Sequence, residues 1–281
     1  MPKQSGKIAF QGFPGAYSDM ACRAVYPGRE TLPCRTFEEA FLAVQDKKAA
    51  LAMIPVDNTL AGRVADVHHL LPRAGLYIIG EYFHPVHHCL LGVKGADKKT
   101  LKHVHSHVHA IPQCRKVIKR LHLQAHSGMD TAGAAQDVAR RNDPAHAAIA
   151  SELAAEIYGL KILERNVEDE SHNTTRFLIL SREHTVPSYN KNTSFITSIT
   201  FRTRNIPAAL YKALGGFATN GVSMAKLESY VDPSFDVAEF YAEVEAHQKS
   251  PALKLALEEL TFFAEETRVL GTYKAHPFRR K

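Results

Sequence analysis

Tryptophan is absent from these 281 residues, and so are low-complexity tracts and any obvious internal repeat. With 45% hydrophobic and 23% charged residues, that lack of bias excludes a fibrous or largely disordered chain. No stretch approaches the ~20 apolar residues of a membrane span, and the opening MPKQSGKIAFQGFPGAYS carries no apolar segment of signal-peptide length. A cytoplasmic protein without membrane contact is therefore expected. Cys22, Cys34, Cys89 and Cys114 lie far apart with no CxxC among them, which excludes a disulfide scaffold and points to reduced thiols. The net charge of +6 is spread along the chain and concentrates only in the tail HPFRRK, without the aromatic platform of an RNA-binding sheet. That excludes nucleic acid as the natural partner and suits a small anionic ligand, which a modest positive field draws toward a cleft.

What is present is a regular alternation. The length favours two domains. From KIAF through the glycine-rich turn QGFPGAYS into SDMACRAVYP, and on through AALAMIP, VADVHHLLPRA, LYIIGEYF and HHCLLGV, short β-prone runs alternate with helical spacing. A second cycle follows in LKHVHS, PQCRKVIKRLHL, DTAGAAQDVARRN, HAAIAS and SELAAEIYGL. Together they predict an α/β domain of two lobes over residues 6–183, with largely parallel sheets and a ligand cleft where strand ends and loops converge. A polar connection at 184–193 precedes a change of rhythm. SFITSITFR, PAALYKALGGFATNG, VSMAKLESYV, VAEFYAEVEA, PALKLALEELTFFAE and TRVLGTYK then predict a ferredoxin-like βαββαβ unit over 194–275.

The stretch HVHSHVHAIPQC looks at first like a metal site. On a strand, however, His103 and His105 share one face while Lys102, Val104 and Ser106 share the other, and neither HExxH nor a CxxC pair accompanies them. The histidines are expected to be partly exposed strand positions, with no metal. Ser106 and Gln113 lie between and beyond them, seven apart across a strand-to-helix turn.

Five stretches in order, QGFPGAYSDMAC, IPVDNTLAGRVADVHHLL, HSHVHAIPQC, DTAGAA and NTTRFLIL, resemble prephenate dehydratase, the enzyme that turns prephenate into phenylpyruvate in L-phenylalanine biosynthesis. AALYKALGGFA and KLESY extend the resemblance to a C-terminal regulatory module of the ACT type. The resemblance implies a two-lobed, periplasmic-binding-protein-like catalytic domain with its active site in the crevice, and no metal or organic cofactor. Nothing before Ile8 resembles the fused chorismate mutase domain of some relatives, so the monofunctional form is expected.

Loss of CO2 and hydroxide from prephenate makes an aromatic ring, and the enzyme's task is to help the hydroxyl leave. A hydroxyl donor at that oxygen does so. Thr175, in the TRF triplet, matches the family's catalytic threonine, with Thr174 a neighbour of identical chemistry. Asn58, Ser106 and Gln113 match family positions and are taken as catalytic candidates, Thr59 matches a pocket position, and Asp57, Arg176, Thr131, Tyr17 and Ser18 join it as substrate-binding candidates. Arg176 either clamps a substrate carboxylate or makes a structural ion pair. The helix starts at Gly12–Ser18 and at Asp130 and Thr131 are expected to offer free backbone NH groups to carboxylates. The chain departs from the family where Asp57 replaces glutamate and where Val108 and His109 replace proline and glutamine.

The resemblance further implies that phenylalanine acts as allosteric effector between two paired modules, in a homodimer or homotetramer. The family's GAL becomes Ala208, Ala209 and Leu210, and its ESRP becomes Glu228, Ser229, Tyr230 and Val231. Asn220 closes the helix facing that strand. Two alternatives stand beside this reading: an arogenate dehydratase, and a non-enzymatic amino-acid sensor.

Overall fold

The first β-prone run, Ile8–Gln11, forms a buried strand, β1, with Ile8, Ala9 and Phe10 fully enclosed in the core. The computed structural model describes residues 6–231 and 238–280. After β1 come α1 (Tyr17–Val25), β2 (Thr31–Cys34), α2 (Phe37–Gln45), β3 (Leu51–Asn58), β4 (Gly62–Arg63), α3 (Ala65–Leu70) and β5 (Tyr77–Pro85). The second cycle supplies β6 (Cys89–Gly92), β7 (His103–His107), α4 (Arg115–Arg120), β8 (Gln124–Gly128), α5 (Thr131–Arg141), β9 (His146–Ala150), α6 (Glu152–Tyr158), β10 (Lys161–Glu164) and β11 (Thr174–Ser181). A 3-10 turn at Ile111–Cys114 leads into α4.

Two sheets result, and both are mixed where largely parallel ones were expected. One has the order β2-β1-β3-β11-β5, with β4 beside β3, and β1 runs parallel to both β2 and β3. The other has the order β10-β6-β9-β7-β8, parallel at β7–β8 and β7–β9 but antiparallel at β6–β9 and β10–β6. Leu90, Val104, Cys114, Val117 and Ile149 form the core of this second lobe. Local chemistry sets the helix ends. Thr36 caps α2 by accepting from Glu39 N, Ser151 caps α6 by accepting from Ala154 N, and α6 stops at Gly159 with φ +66°.

The turn after β1 meets the start of α6. Ser151 Oγ donates to Gly15 O and Tyr158 OH donates to Pro14 O at 2.8 Å. Gly15 has φ +89°, and a Cβ there would stand 2.8 Å from Ala154 Cα, so only glycine fits.

The remainder reads β12 (Phe195–Thr203), α7 (Ala209–Thr219), β13 (Met224–Val231), β14 (Ala238–Val244), α8 (Pro251–Phe263) and β15 (Ala264–Lys274), closed by a 3-10 turn at Pro277–Arg280. This is the expected βαββαβ order, in an antiparallel sheet β13-β14-β12-β15. Its helices pack over Ile199, Phe201, Phe240, Ala242 and Val244 through Ala213, Phe217, Leu253 and Leu260.

The division into compact units differs from the expected spans. One unit is Met1–Val64 with Tyr82–Phe177, and the other is Ala65–Glu81 with Leu178–Lys281. Two contacts explain why Ala65–Glu81 belongs with the second unit. Arg268 donates to Pro72 O at 2.9 Å, and Gly271 of β15 lies so close to the backbone of Ile78 that any Cβ would overlap the carbonyl oxygen. Gly271→Ala is expected to cost about 1–3 kcal/mol, because backbone cannot yield as a side-chain tip can. Thermal unfolding of the variant beside the parent protein checks this.

Candidate active site

The site grows from β11. Thr59 N donates to Thr174 O at 3.0 Å and Arg176 pairs with Asp57 at 3.4 Å, so β11 runs antiparallel to β3 with Thr175 opposite Asn58. Side chains alternate along a strand. Thr175 therefore shares a face with Asn58, while Thr174 and Arg176 point to the other, which separates the two adjacent threonines.

Asn58 Oδ1 accepts from the backbone N–H groups of Leu60 and Ala61 at 3.0 and 2.8 Å. Backbone amides only donate, so the orientation of this side-chain amide is set. Its Nδ2 then donates to Thr175 Oγ1 at 2.9 Å and to Asn173 Oδ1 at 2.8 Å. Asn173 Nδ2 in turn donates to Gln113 Oε1 at 2.8 Å. Because that oxygen can only accept, His88 Nε2, 3.2 Å away, carries the proton. His88 Nδ1 is then the acceptor for Tyr17 OH at 2.7 Å, a hydroxyl that also reaches His87 O at 2.8 Å. Burial lowers the pKa of His88 and raises that of Tyr17, keeping both neutral.

One consequence concerns Thr175. Its oxygen accepts from Asn58, and its hydroxyl hydrogen has no acceptor among the described residues. It is a half-buried hydroxyl with its oxygen engaged.

The other expected residues are placed as follows. Arg176 is buried, paired with Asp57, and lies 5.8 Å from the ring centroid of Phe83, on the face away from Thr175. Thr59 Oγ1 donates to His172 O and accepts from Thr174 N, both at 2.9 Å, pinning the start of β11. Ser106 is fully buried and donates to Ile149 O at 2.6 Å, joining β7 to β9. Ser18 and Thr131 are buried in the first turns of α1 and α5. Some amides near these helix starts are taken by the protein's own carboxylates: Asp19 accepts from Gly15 N at 2.9 Å, and Asp130 accepts from Gly133 N and, at 2.9 Å, from Phe13 N, while α1 has no side-chain cap.

His103 and His105 do share a face. His105 Nε2 lies 2.8 Å from His146 Nδ1, and His103 Nδ1 lies 3.1 Å from His126 Nε2, with ring centroids 4.5–5.2 Å apart across β8, β7 and β9. Their nitrogens face one another in pairs. Among the described residues no three histidine, cysteine or acidic side chains converge as metal ligands.

In the second unit, Ala208 caps α7 with φ +59°, a left-handed conformation in a residue with a Cβ. Ala209 is buried and Leu210 packs against the module core. Asn220 Nδ2 donates to Gly216 O at 2.8 Å and Glu259 Oε1 at 2.7 Å, tying α7 to α8. Glu228 pairs with Lys226 at 3.5 Å on β13, where Ser229 is exposed. Val231 ends β13 and the segment 232–237 lies outside the described residues.

Sequence reasoning missed Asn173 and His88. The only available signal was their place inside NTTRF and beside or within HHC, which were read as motif and strand.

The prephenate dehydratase family model matches residues 8–185. The chain belongs to the prephenate dehydratase family. A relative from Komagataeibacter europaeus, named bifunctional N-acyl-homoserine lactone acylase/prephenate dehydratase, is 52% identical over 276 residues, 98% of each chain. Arogenate dehydratase/prephenate dehydratase 1, chloroplastic, of Arabidopsis thaliana is 40% identical over 283 residues, 95% of this chain and 71% of its own. The crystal structure of a prephenate dehydratase from Arthrobacter aurescens in complex with L-Phe superposes with a TM-score of 0.86 at 26% identity, covering 96% of this chain and 90% of that one. The family is thus an enzyme family of aromatic amino-acid biosynthesis, and the amide chain from Asn58 to His88 falls inside the matched span.

The stacked histidines are expected to make this fold less stable in acid. Burial first, then the charges of His126, His146, Arg141 and His103, lower the pKa of His105 to about 4. Unfolded histidine titrates near 6.5, so the unfolded chain binds more protons below that value. Stability present at neutral pH is therefore lost as pH falls from about 6.5 toward 4. His105→Gln is expected to flatten the fall in melting temperature between pH 6.5 and 4.5, and an undiminished fall in the variant would remove the histidine cluster as its cause.

Proposed function

We propose that this protein is a prephenate dehydratase that converts prephenate to phenylpyruvate, with Thr175 donating to the departing hydroxyl. The observation that carries the reading is the polarity at Thr175, whose oxygen accepts from Asn58 and whose hydrogen is free for a ligand. The electron pair of the C–CO2 bond moves into the ring and expels the hydroxyl from the opposite carbon. With one proton taken from solvent, the products are phenylpyruvate, CO2 and water. Charge grows on the leaving oxygen, where the Thr175 hydrogen bond strengthens as the bond breaks. Asn58, Asn173 and Gln113 hold that donor in place; Ser106 ties the wall of the cleft together. Tyr17, Ser18, Thr131, Asp57, Thr59 and Arg176 are proposed to shape the substrate pocket, Asp57 and Arg176 through their mutual pairing.

In this reading residues 6–183 are catalytic, 184–193 connect, and 194–275 form an ACT-type module. The βαββαβ order supports that assignment, and phenylalanine as effector is supported by the L-Phe complex of the Arthrobacter aurescens relative. Ala208, Ala209, Leu210, Asn220, Glu228 and Ser229 are the proposed contacts, in a cytoplasmic homodimer or homotetramer. β13 is an edge strand of its sheet and suits pairing with a second copy.

Two further activities are tested beside this one, because relatives carry them in their names. Arogenate differs from prephenate in an amino group that none of these neutral contacts selects for or against. An acylase working through an acyl-enzyme would require an activated side-chain nucleophile. The four thiols are buried with raised pKa values, and the Ser106 hydroxyl is committed to Ile149 O.

Purified protein is assayed with prephenate, arogenate and an N-acyl-homoserine lactone. Turnover of prephenate is expected, with Thr175→Ala losing about 10²-fold or more in kcat and Thr175→Ser keeping most of it. No turnover of either dehydratase substrate would leave the sensor reading. Ala208→Gly is expected to stabilise the second unit by roughly 0.5–1 kcal/mol, since glycine adopts φ +59° without strain. Thermal melting measures that shift, and phenylalanine titration of the same variant reports whether the methyl group also crowds the effector.

A further inference from the structure

We propose that His84 is a substrate-contacting residue, a second neutral donor that stands beside Thr175 at the departing hydroxyl. The inference rests on the dehydratase reading and adds a residue to it.

Register places the side chain. Val86 N donates to Asn173 O at 2.8 Å, a Cβ on Gly80 would stand 3.3 Å from Ile179 Cδ1, and Arg176 lies over Phe83. These contacts set β5 antiparallel to β11 with 80 opposite 179, 83 opposite 176 and 86 opposite 173. His84 is therefore opposite Thr175, on the same face, at the roughly 5 Å Cβ separation of cross-strand neighbours. Three strands thus put Asn58, Thr175 and His84 abreast on one face, and Asp57, Arg176 and Phe83 abreast on the other.

The His84 side chain is only 8% exposed, yet neither Nδ1 nor Nε2 has a hydrogen-bond partner among the described residues. Its neighbours are rings: Tyr82, with centroids 5.9 Å apart, and Tyr17, at 6.4 Å. An imidazole buried with both nitrogens unmatched works against folding, and such groups need an explanation in function. Burial, followed by the charge of His87, brings its pKa to about 4, so at neutral pH it is uncharged and carries one N–H. A leaving hydroxyl gains lone-pair density as its bond to carbon breaks and can accept from two donors at once. Thr175 Oγ–H is one and the His84 N–H is the other. His84 neither gains nor loses a proton in the step.

The test uses the full chain with prephenate and arogenate as substrates, comparing the parent protein with Thr175→Ala, His84→Leu and His84→Gln. Leucine removes the unmatched nitrogens, so His84→Leu is expected to melt at a higher temperature while kcat falls 10- to 100-fold and KM stays within about threefold. Glutamine restores a neutral donor and is expected to regain part of the lost kcat. A purely structural histidine predicts the opposite pairing, lower stability with kcat retained in whatever folds. His84→Leu with kcat within twofold of the parent protein, or recovered unfolded, overturns the assignment, since a side chain with both nitrogens unmatched cannot be what holds the fold. A parent protein inactive on both substrates overturns the dehydratase reading and His84 with it. An active parent protein with an inactive Thr175→Ala and an unaffected His84→Leu overturns His84 alone.

Discussion

Two backbone N–H groups, those of Leu60 and Ala61, govern the polarity of the whole site. A peptide N–H cannot accept, so Asn58 must present its oxygen to them and its NH2 to Asn173 and Thr175. Each later amide inherits its direction from the one before. The chain reaches Gln113 and His88 through side chains that all lie in one unit but come from four distant segments. Such a chain is rigid because reversing one member leaves two donors or two acceptors facing each other, a costly fault in a partly buried setting. Thr175, at the end of that chain, has its oxygen taken and its hydrogen without an acceptor among the described residues.

The strand period explains why neighbours in NTTRF do different work. Residues one apart on β11 face opposite sides, so Thr175 joins the amide chain while Arg176 is held by Asp57 and Phe83. Thr174, chemically identical to Thr175, gives its backbone N–H to Thr59 and its carbonyl to Thr59 N, and serves as the seam between β3 and β11. From the sequence alone Arg176 was evenly balanced between substrate and structure. Its burial beside Asp57 favours structure, and the shorter acid at position 57 reaches the guanidinium only at 3.4 Å.

Much of the fold was legible because it is written in short-range pattern: β-prone runs at β1 and β12, alternation in β7, alanine richness in α5, proline at the start of α8. What was not legible depends on contacts between separate strands and turns. The glycine turn before α1 reads as an open anion site until Asp130, 117 residues away, is seen to fill it. The histidines of β7 were assigned the correct face, but His126 and His146 arrive from β8 and β9, and no spacing within one strand could announce them. His84 stayed hidden for the same reason, since only the β5–β11 register sets it against Thr175.

The side chains linked in sequence from Thr175 are uncharged: two asparagines, a glutamine, neutral histidines and a tyrosine held protonated, with the Glu168 carboxylate only at the far end, on His88 N. For the proposed reaction that composition has a physical logic. The scissile carboxylate loses its charge as CO2 departs, so a cation fixed against it would stabilise the ground state more than the transition state and slow the step. The leaving oxygen gains charge over the same interval, so neutral donors aimed there strengthen as the bond breaks and cost little before it does. A guanidinium in the position of His84 would hold the dianion more tightly and gain less in rate. The charged pair Arg176–Asp57 lies on the far face of the same strands, where it braces the register without placing net charge beside the ring.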